Sequence, residues 1–306
     1  MSSILTNTSA MTALKSLTAI NKQIETTQGR ISTGLRVNDA SDNAAYWSIA
    51  TTMKSDNKAL GTVQDALGLG ASKVDVAYTG MASALDVVDE IKSKLVAAKE
   101  PSADKAKIQS EIGELQNQLT SIAESASFNG ENWLSVDSSA ATYSATKSVV
   151  ASFSRASDGT VSVSTIDVDI TTTELFDAND QSGILDSTFT TTGGGAVTVS
   201  VSDLDITAAN IDDTDLDEMI AAVDSAFSSM TDAASTLGSS SKRIDMQSEF
   251  VNNLMDAVDR GVGQLIDANM EEESTRLQAL QTQQQLGIQS LSIANSSAQS
   301  ILSLFR

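Results

Sequence analysis

The chain has 306 residues, room for two or three domains, and its 40 acidic against 19 basic side chains give a formal charge of −21. That balance disfavours nucleic-acid binding, which needs a basic face to displace counterions, and suits a soluble, unsticky surface. There is no cysteine and no histidine, so disulfide and thiolate chemistry are excluded; the usual general base, zinc ligand and proton shuttle are missing, which disfavours an enzyme and predicts no metal and no cofactor.

Residues 1–14 carry no charged side chain. They hold no basic region followed by an apolar block, so no cleaved signal peptide is expected. Ala10, Leu17, Ile24 and Ile31 recur every seven residues, with Leu14, Ile20 and Leu35 beside them. This spacing predicts a first helix with a narrow apolar seam. Gly34 can end that helix, and Asn38, Ser41 or Asp42 can cap the next. Residues 32–50 therefore read as a structured joint between two helices.

Residues 42–99 read as one long helix. Tyr46, Met53, Leu60, Leu67, Val74, Met81, Val88 and Leu95 keep a strict spacing of seven. Ile49, Val63, Ala77, Ala84, Ile91 and Ala98 form a second phase three residues later, from which Asp56 and Gly70 depart. Pro101, the only proline in the chain, stands where this helix should stop. Ser102 or Asp104 can cap a third helix, whose stripe is Ile108, Ile112, Leu115, Leu119 and Ile122, ending before the turn Phe128-Asn129-Gly130.

The middle changes character. From about residue 143 to 202 the chain is rich in Thr, Val and Ser. Val161, Val163, Ile166, Val168 and Ile170 approximate a period of two, as do Val197, Val199 and Val201, and both read as strands. Residues 155–218 hold fourteen acids and one base. Helix resumes near Asp212, where Asp212, Asp213, Asp215, Asp217 and Glu218 suit the positive end of a helix dipole. Leu216, Val223, Met230, Leu237, Ile244, Val251, Val258 and Leu265 again repeat at seven. Ser239–Ser241 and the glycines Gly261 and Gly263 are candidate joints, and a phase shift after Leu265 reads as a stutter. The final seam is Leu277, Gln284, Leu291, Ala298 and Phe305, with Leu280, Gly287, Ala294 and Ile301 beside it; residues 277–305 carry no charge.

Other features have plainer readings. Asp177, Asn179, Asp180 and Gly183 faintly resemble a calcium loop, but Gln181 interrupts the spacing and no closing glutamate follows, so a solvated acidic loop is expected. The run Gly193–Gly195 lacks a P-loop lysine. Trp47 and Trp133 read as buried aromatics, Met53, Met81 and Met230 as packing, and Glu271–Glu273 as a solvated face or a boundary between helical segments. No apolar run reaches the roughly 18 residues of a membrane helix, so no membrane insertion is expected.

Length decides the expected shape. A helix of about 58 residues is roughly 87 Å long, whereas a globule of this size has a radius of gyration of about 19 Å. The expectation is mainly α with a small β-rich insert: a long antiparallel coiled-coil or helical-bundle rod with its N- and C-terminal helices paired. Three domains follow: a terminal coiled coil of 1–40 with 268–306, a helical rod of 41–140 with 215–267, and an acidic β-rich insert of 141–214, which the family resemblance given below makes inner tube, shell and outer domain. The core of the shell is Met53, Leu60, Leu67, Val74, Met81, Val88, Leu95, Val223, Met230, Leu237, Ile244 and Val251.

The joint, with Gly34, Arg36, Asn38, Asp42 and Asn43, resembles that of bacterial flagellins. Gly287, Ala294, Asn295, Gln299, Leu302, Ser303, Leu304 and Arg306 are similar to the flagellin ending, and Phe128-Asn129-Gly130 to the family's turn. The resemblance covers roughly 1–140 and 220–306, and the Ala-Tyr-Trp variant at 45–47 resembles short-insert flagellins of alphaproteobacteria. It implies a structural subunit of an extracellular filament that serves swimming. It also implies homopolymerisation, possibly with related flagellins, and passage through the flagellar export apparatus with an export chaperone, a cap and hook-associated proteins as partners. The seams Leu14, Leu17, Ile24, Ile31, Leu277, Leu280, Leu291, Ile301, Leu302 and Phe305 then become assembly surfaces, unpaired and largely disordered before assembly. Gly34, Gly70, Gly261 and Gly263 are candidate points of backbone adjustment as packing switches. The alternative is a hook–filament junction protein, which has similar helical ends but fits the joint and the Leu302-Ser303-Leu304 ending less well.

The same resemblance implies weak immune recognition. Residues 29–50 match the peptide that the plant flagellin receptor reads, but Asn43 replaces the family's aspartate and Tyr46-Trp47 a glycine-containing pair. Glu90 stands where the animal-receptor surface carries an arginine, and reversed charge removes a hydrogen-bond or ion-pair donor. Receptor reporter assays check both expectations.

Overall fold

The computed structural model describes residues 7–156, 158–194, 196–209 and 211–303, with side chains in the last helix described to Ser297. The long elements are α1 (Thr8–Thr33), α2 (Ala44–Ala98), α3 (Lys105–Ser125), α4 (Asp213–Ile266) and α5 (Met270–Ser303). Two compact units result, one of residues 1–58 with 255–306 and one of residues 59–254. Both α2 and α4 contribute to each.

In the second unit the heptad phases are the core. Leu67, Val74, Met81, Val88 and Leu95 of α2 are fully buried, as are Leu216, Val223, Met230 and Leu237 of α4. Burying each such side chain is worth roughly 1.5–3 kcal/mol. The second phase of α2 is buried as well at Val63, Ala77, Ala84, Ile91 and Ala98. Polar ties show that α2 and α4 run antiparallel: Gln64 donates to Ser248 at 2.7 Å, Lys92 pairs with Asp224, and Lys99 pairs with Asp217 at 2.5 Å. Helix α3 packs through Ile112, Leu119 and Ala123, and Glu111 reaches Lys94 of α2 at 2.8 Å.

Two expectations about α4 need correction. It runs unbroken through Ser239–Ser241, Gly261 and Gly263. Glycine costs a helix only about 1 kcal/mol, and the buried Leu237, Ile244, Val262 and Ile266 on either side hold the register. The phase shift after Leu265 is not a stutter in a continuous helix. The chain leaves α4 at Ile266 and starts α5 at Met270. Asn269 caps the new helix, its side chain accepting from the Glu271 N–H at 3.1 Å.

Between α3 and α4 the chain is mostly strand and loop. Asp104 caps α3, accepting from Lys107. β1 (Ser127–Phe128) and β2 (Glu131–Asn132) are antiparallel and joined by Asn129 and Gly130, both left-handed at φ 51° and 79°. An Asn-Gly pair at these angles forms the turn that matches strand twist. β3 (Ser135–Val136) pairs parallel with β6 (Phe176–Asp177), and β7 (Phe189–Thr190) antiparallel with β8 (Thr198–Val199). The longest strands, β4 (Thr146–Arg155) and β5 (Val161–Asp169), form a hairpin. The hairpin explains why Gly70 breaks the α2 phase: a Cβ there would lie 2.2 Å from Val149 of β4. Farther along, Gln109 and Gln116 of α3 donate to the Leu204 carbonyl at 2.9 and 3.2 Å, tying the returning chain to the helix. The run Gly193–Gly194 folds onto the start of α4, where the Gly194 N–H donates to Asp212 at 3.0 Å.

The loop after β6 is exposed over residues 178–182, Asp180 included, as expected, but the acids that flank it are not. Asp177 is buried, accepting from the Ser138 and Asn179 N–H groups at 3.0 Å each and from the Ser182 hydroxyl at 3.2 Å. Burial opposes its ionisation, but the hydrogen bonds outweigh it and hold the carboxyl at about 2. Glu174 and Asp186 are also buried, and desolvation, with the nearby Asp177 charge, raises both. Among the described residues no group of acids is arranged to hold a metal ion. Raised folded values mean that Glu174 and Asp186 contribute stability at low pH and lose it as pH rises through them. A depressed value gives Asp177 the opposite sign, with its contribution lost as pH falls toward about 2. Unfolding midpoints should therefore rise as pH falls through the raised values of Glu174 and Asp186 toward the ordinary 4.5 and 3.8, and fall as pH drops further toward about 2. Asp186→Asn should reduce the rise; an unchanged profile would sink the assignment.

Candidate assembly surfaces

The first unit is built on α1 and α5, which run antiparallel. Asn7 caps α1, accepting from Ala10 at 3.0 Å, and donates to the Ala294 carbonyl at 3.0 Å. Gln284 donates to Asn21 at 2.7 Å, and Arg30 pairs with Glu273 at 3.0 Å. Between these ties Leu17, Ile20, Ile24 and Ile31 of α1 turn inward, as do Leu277, Leu280, Gln284, Gly287, Leu291 and Ala294 of α5. Gly287 faces Leu17 of α1, where a Cβ would stand at an ordinary contact distance of 3.5 Å. Burial along this seam is shallow. Thr27, Glu273 and Leu280 are buried, whereas the other seam residues are partly exposed.

Leu14 lies on the outer face and is 56% exposed, beside the similarly exposed Met11. On α5 the outer face carries Ala279, Leu286 and Ile293, a third set at spacing seven, and Ile288. Leu286 and Ile293 are 61% and 60% exposed. The side chains of Ile301 and Leu302, and the whole of Phe305, lie outside the described residues.

Glu273 is not on a solvated face. Its buried carboxylate meets Arg30 at 3.0 Å and Arg276 at 3.6 Å. Extending the Leu280 phase back by seven lands on Glu273, and that was the available signal. An ion pair on an otherwise uncharged seam favours one register of α1 against α5.

The joint is held by backbone and side chain together. Gly34 adopts the left-handed conformation at φ 73° and its N–H caps α1 on the Arg30 carbonyl at 2.9 Å. The N–H groups of Arg36 and Val37 donate to the Ile266 carbonyl at 2.6 and 3.2 Å, and Ala268 donates to Gly34 at 2.9 Å. The Arg36 guanidinium donates to the Leu265 carbonyl at 2.9 Å, at the end of α4, where a cation is favoured. Beneath it Val37, Ala50, Val262 and Ile266 form a small core, with Met53 and Val258 packed against it. Asp42 accepts from the Asn38 N–H at 2.9 Å, closing the turn rather than capping α2, and Asn38 is exposed. The cap is Asn43, which accepts from Tyr46 at 3.2 Å.

Tyr46 and Ile49 are exposed, and Trp47, expected to be buried, is 38% exposed; Trp133 is 3% exposed. The first turn of α2 follows a tight cap and leaves the Tyr46, Trp47 and Ile49 side chains outside the Val37 core. Glu90 is on the surface, 3.3 Å from Lys94.

The chain matches the bacterial flagellin N-terminal helical region over residues 4–139 and the C-terminal helical region over residues 220–305. Flagellin C of Rhizobium meliloti is 54% identical over 322 aligned positions, with all of both chains covered. Flagellin A of the same organism is 48% identical over 396, again covering both chains, so it carries segments that this 306-residue chain lacks. A flagellin of Brucella melitensis is 47% identical over 307 positions and all of both chains. The helical termini matched by the family are the segments that build α1, α2, α3, α5 and most of α4. The chain therefore belongs to the bacterial flagellin family, the structural subunits of the flagellar filament.

Proposed function

We propose that this chain polymerises with copies of itself, and with related flagellins, through the outer faces of α1 and α5. One observation carries the reading. The α5 stripe of Leu286 and Ile293 stays exposed after α1 has covered the other side of the helix. A soluble helix with apolar stripes on two faces needs a second partner. Another subunit supplies it, and repetition of the contact builds a polymer. In this reading residues 1–40 with 268–306 form the inner tube, 41–140 with 215–267 the shell, and the acidic insert of 141–214 the solvent face. The subunit is structural and non-enzymatic. It is extracellular, leaving through the flagellar export apparatus without a cleaved signal peptide, and an export chaperone, the cap and hook-associated proteins are its passing partners. Absence of disulfides suits a chain threaded unfolded.

Electron microscopy of the purified protein after addition of short filament seeds tests this. Native protein should extend the seeds into long uniform tubes. Leu286→Asp with Ile293→Asp should leave the monomer's circular dichroism unchanged and stop extension. Extension by that variant would remove the α5 outer face from the interface.

Weak plant-receptor recognition also follows. The Asn43 side chain is engaged in capping its own helix, and Tyr46-Trp47 adds bulk where the family carries a glycine. A strong response to a peptide of residues 29–50 would contradict it.

A further inference from the structure

One face of α4 in the second unit joins charge to apolar surface. Lys242 and Arg243 are exposed, and Met246 and Phe250 are 55% and 56% exposed. At about 100° per residue, Arg243, Met246 and Phe250 fall within roughly 60° of one another, with Lys242 beside Met246. The buried Ile244 and Val251 lie on the far side of the helix. The acids Asp245 and Glu249 lie about 100° or more round the helix from Phe250. Among the described residues neither Lys242 nor Arg243 has an ion-pair partner. Methionine, arginine and aromatic side chains are the types enriched where proteins meet.

A complementary surface lies elsewhere in the same unit. A groove of about 480 Å3 runs between α2 and α3. Leu115 and Gln118 line it together with Glu90, Glu111, Glu114 and Lys94. Lys94 is already held by Glu111 at 2.8 Å and by Glu90 at 3.3 Å. Glu114 has no ion-pair partner among the described residues. Three carboxylates against one ammonium leave the groove negative, opposite in sign to the α4 stripe.

The two surfaces cannot meet within one chain. Gln64 pairs with Ser248 and Lys92 with Asp224, so Lys242 and Arg243 lie level with about residue 70 of α2. Glu90 and Lys94 stand some 20 residues farther along, roughly 30 Å at 1.5 Å per residue. A second copy supplies what the chain cannot reach in itself. Copies of charge −21 repel one another, so contact is favoured where unlike charges meet. Two different surfaces joined head to tail also propagate instead of closing a dimer.

We propose that the stripe of Lys242, Arg243, Met246 and Phe250 on one copy seats in the α2–α3 groove of a second copy. This contact rests on the reading that the chain polymerises with copies of itself, and it adds a junction between second units to the one through α1 and α5.

Seeded growth provides the test, with filament length at a fixed time measured by electron microscopy. Lys242→Glu with Arg243→Glu, and separately Glu111→Lys with Glu114→Lys, should each slow extension by about tenfold or more, because like charges then face each other. The variant carrying all four reversals exchanges the signs and should recover most of the native rate, which a merely structural defect would not allow. Met246→Ser with Phe250→Ser should also slow extension, and it decides the matter if a reversed pair fails to fold by circular dichroism. Undiminished growth in either reversed pair or in the serine variant, or no recovery in the folded fourfold variant, overturns the contact while native growth leaves self-polymerisation standing. A native chain that does not extend seeds overturns self-polymerisation itself, and the contact with it.

Discussion

Deletion of residues 277–306 should leave a folded, soluble chain that no longer forms filaments. The deletion removes all of α5 beyond its first turns, together with the seam Leu277, Leu280, Gln284, Gly287, Leu291 and Ala294 and the outer stripe of Leu286 and Ile293. The second unit should survive, because its core of Leu67, Met81, Val88, Leu216, Met230 and Leu237 is complete without α5. The energetics explain why assembly is the sensitive property. Fixing a residue's backbone costs roughly 1–2 kcal/mol, and an isolated helix is marginal in water. Most seam residues of α1 and α5 remain partly exposed, so they gain only part of the roughly 1.5–3 kcal/mol of full burial. In the proposed assembly neighbouring subunits bury the remainder, which would couple ordering of the ends to polymerisation. Seeded growth watched by electron microscopy checks loss of assembly, and circular dichroism checks the fold. Filaments grown from the truncated chain would disprove the role of α5.

Leu67→Ala should destabilise the second unit by about 3 kcal/mol, within the roughly 2–5 kcal/mol range for buried leucines, whereas Leu69→Ala should cost less than about 0.5 kcal/mol. The two residues stand two apart on α2, but Leu67 is fully buried and Leu69 is 47% exposed. A fully buried leucine leaves a cavity that tightly packed helices cannot fill, so the lost contacts add to the transfer cost. Urea unfolding midpoints of both variants give the comparison. Similar costs at the two sites would mean that the heptad phase has been assigned to the wrong face.

The helical frame was legible in the sequence because a long helix repeats its burial every three to four residues. Leu60 to Leu95 and Leu216 to Val251 keep one phase over six positions each, and all twelve side chains are buried. Such a pattern depends only on the local period and on which residues avoid water. Pro101 and Asp104 marked one boundary in the same local way. The inner seam of α5 was legible too, down to Gly287. What the sequence could not decide was which of several apolar phases meets the partner. Leu14, Leu286 and Ile293 are as apolar as Leu17 and Leu291, and only the antiparallel register of α1 on α5 turns one set inward and leaves the other exposed.

Tertiary structure also decided the polar positions. Asp177 and Glu273 look like ordinary surface acids in the sequence, because nothing local reveals that Ser138 or Arg30, far away in the chain, will satisfy them. Gly70 looked like a flaw in a heptad until Val149 occupied the space its side chain would need. Period and composition determine secondary structure and the choice of core, since both are local properties of the chain. Long-range pairing determines which charges are buried, which glycines are required and which apolar faces remain for other molecules, since those depend on groups brought together only by folding.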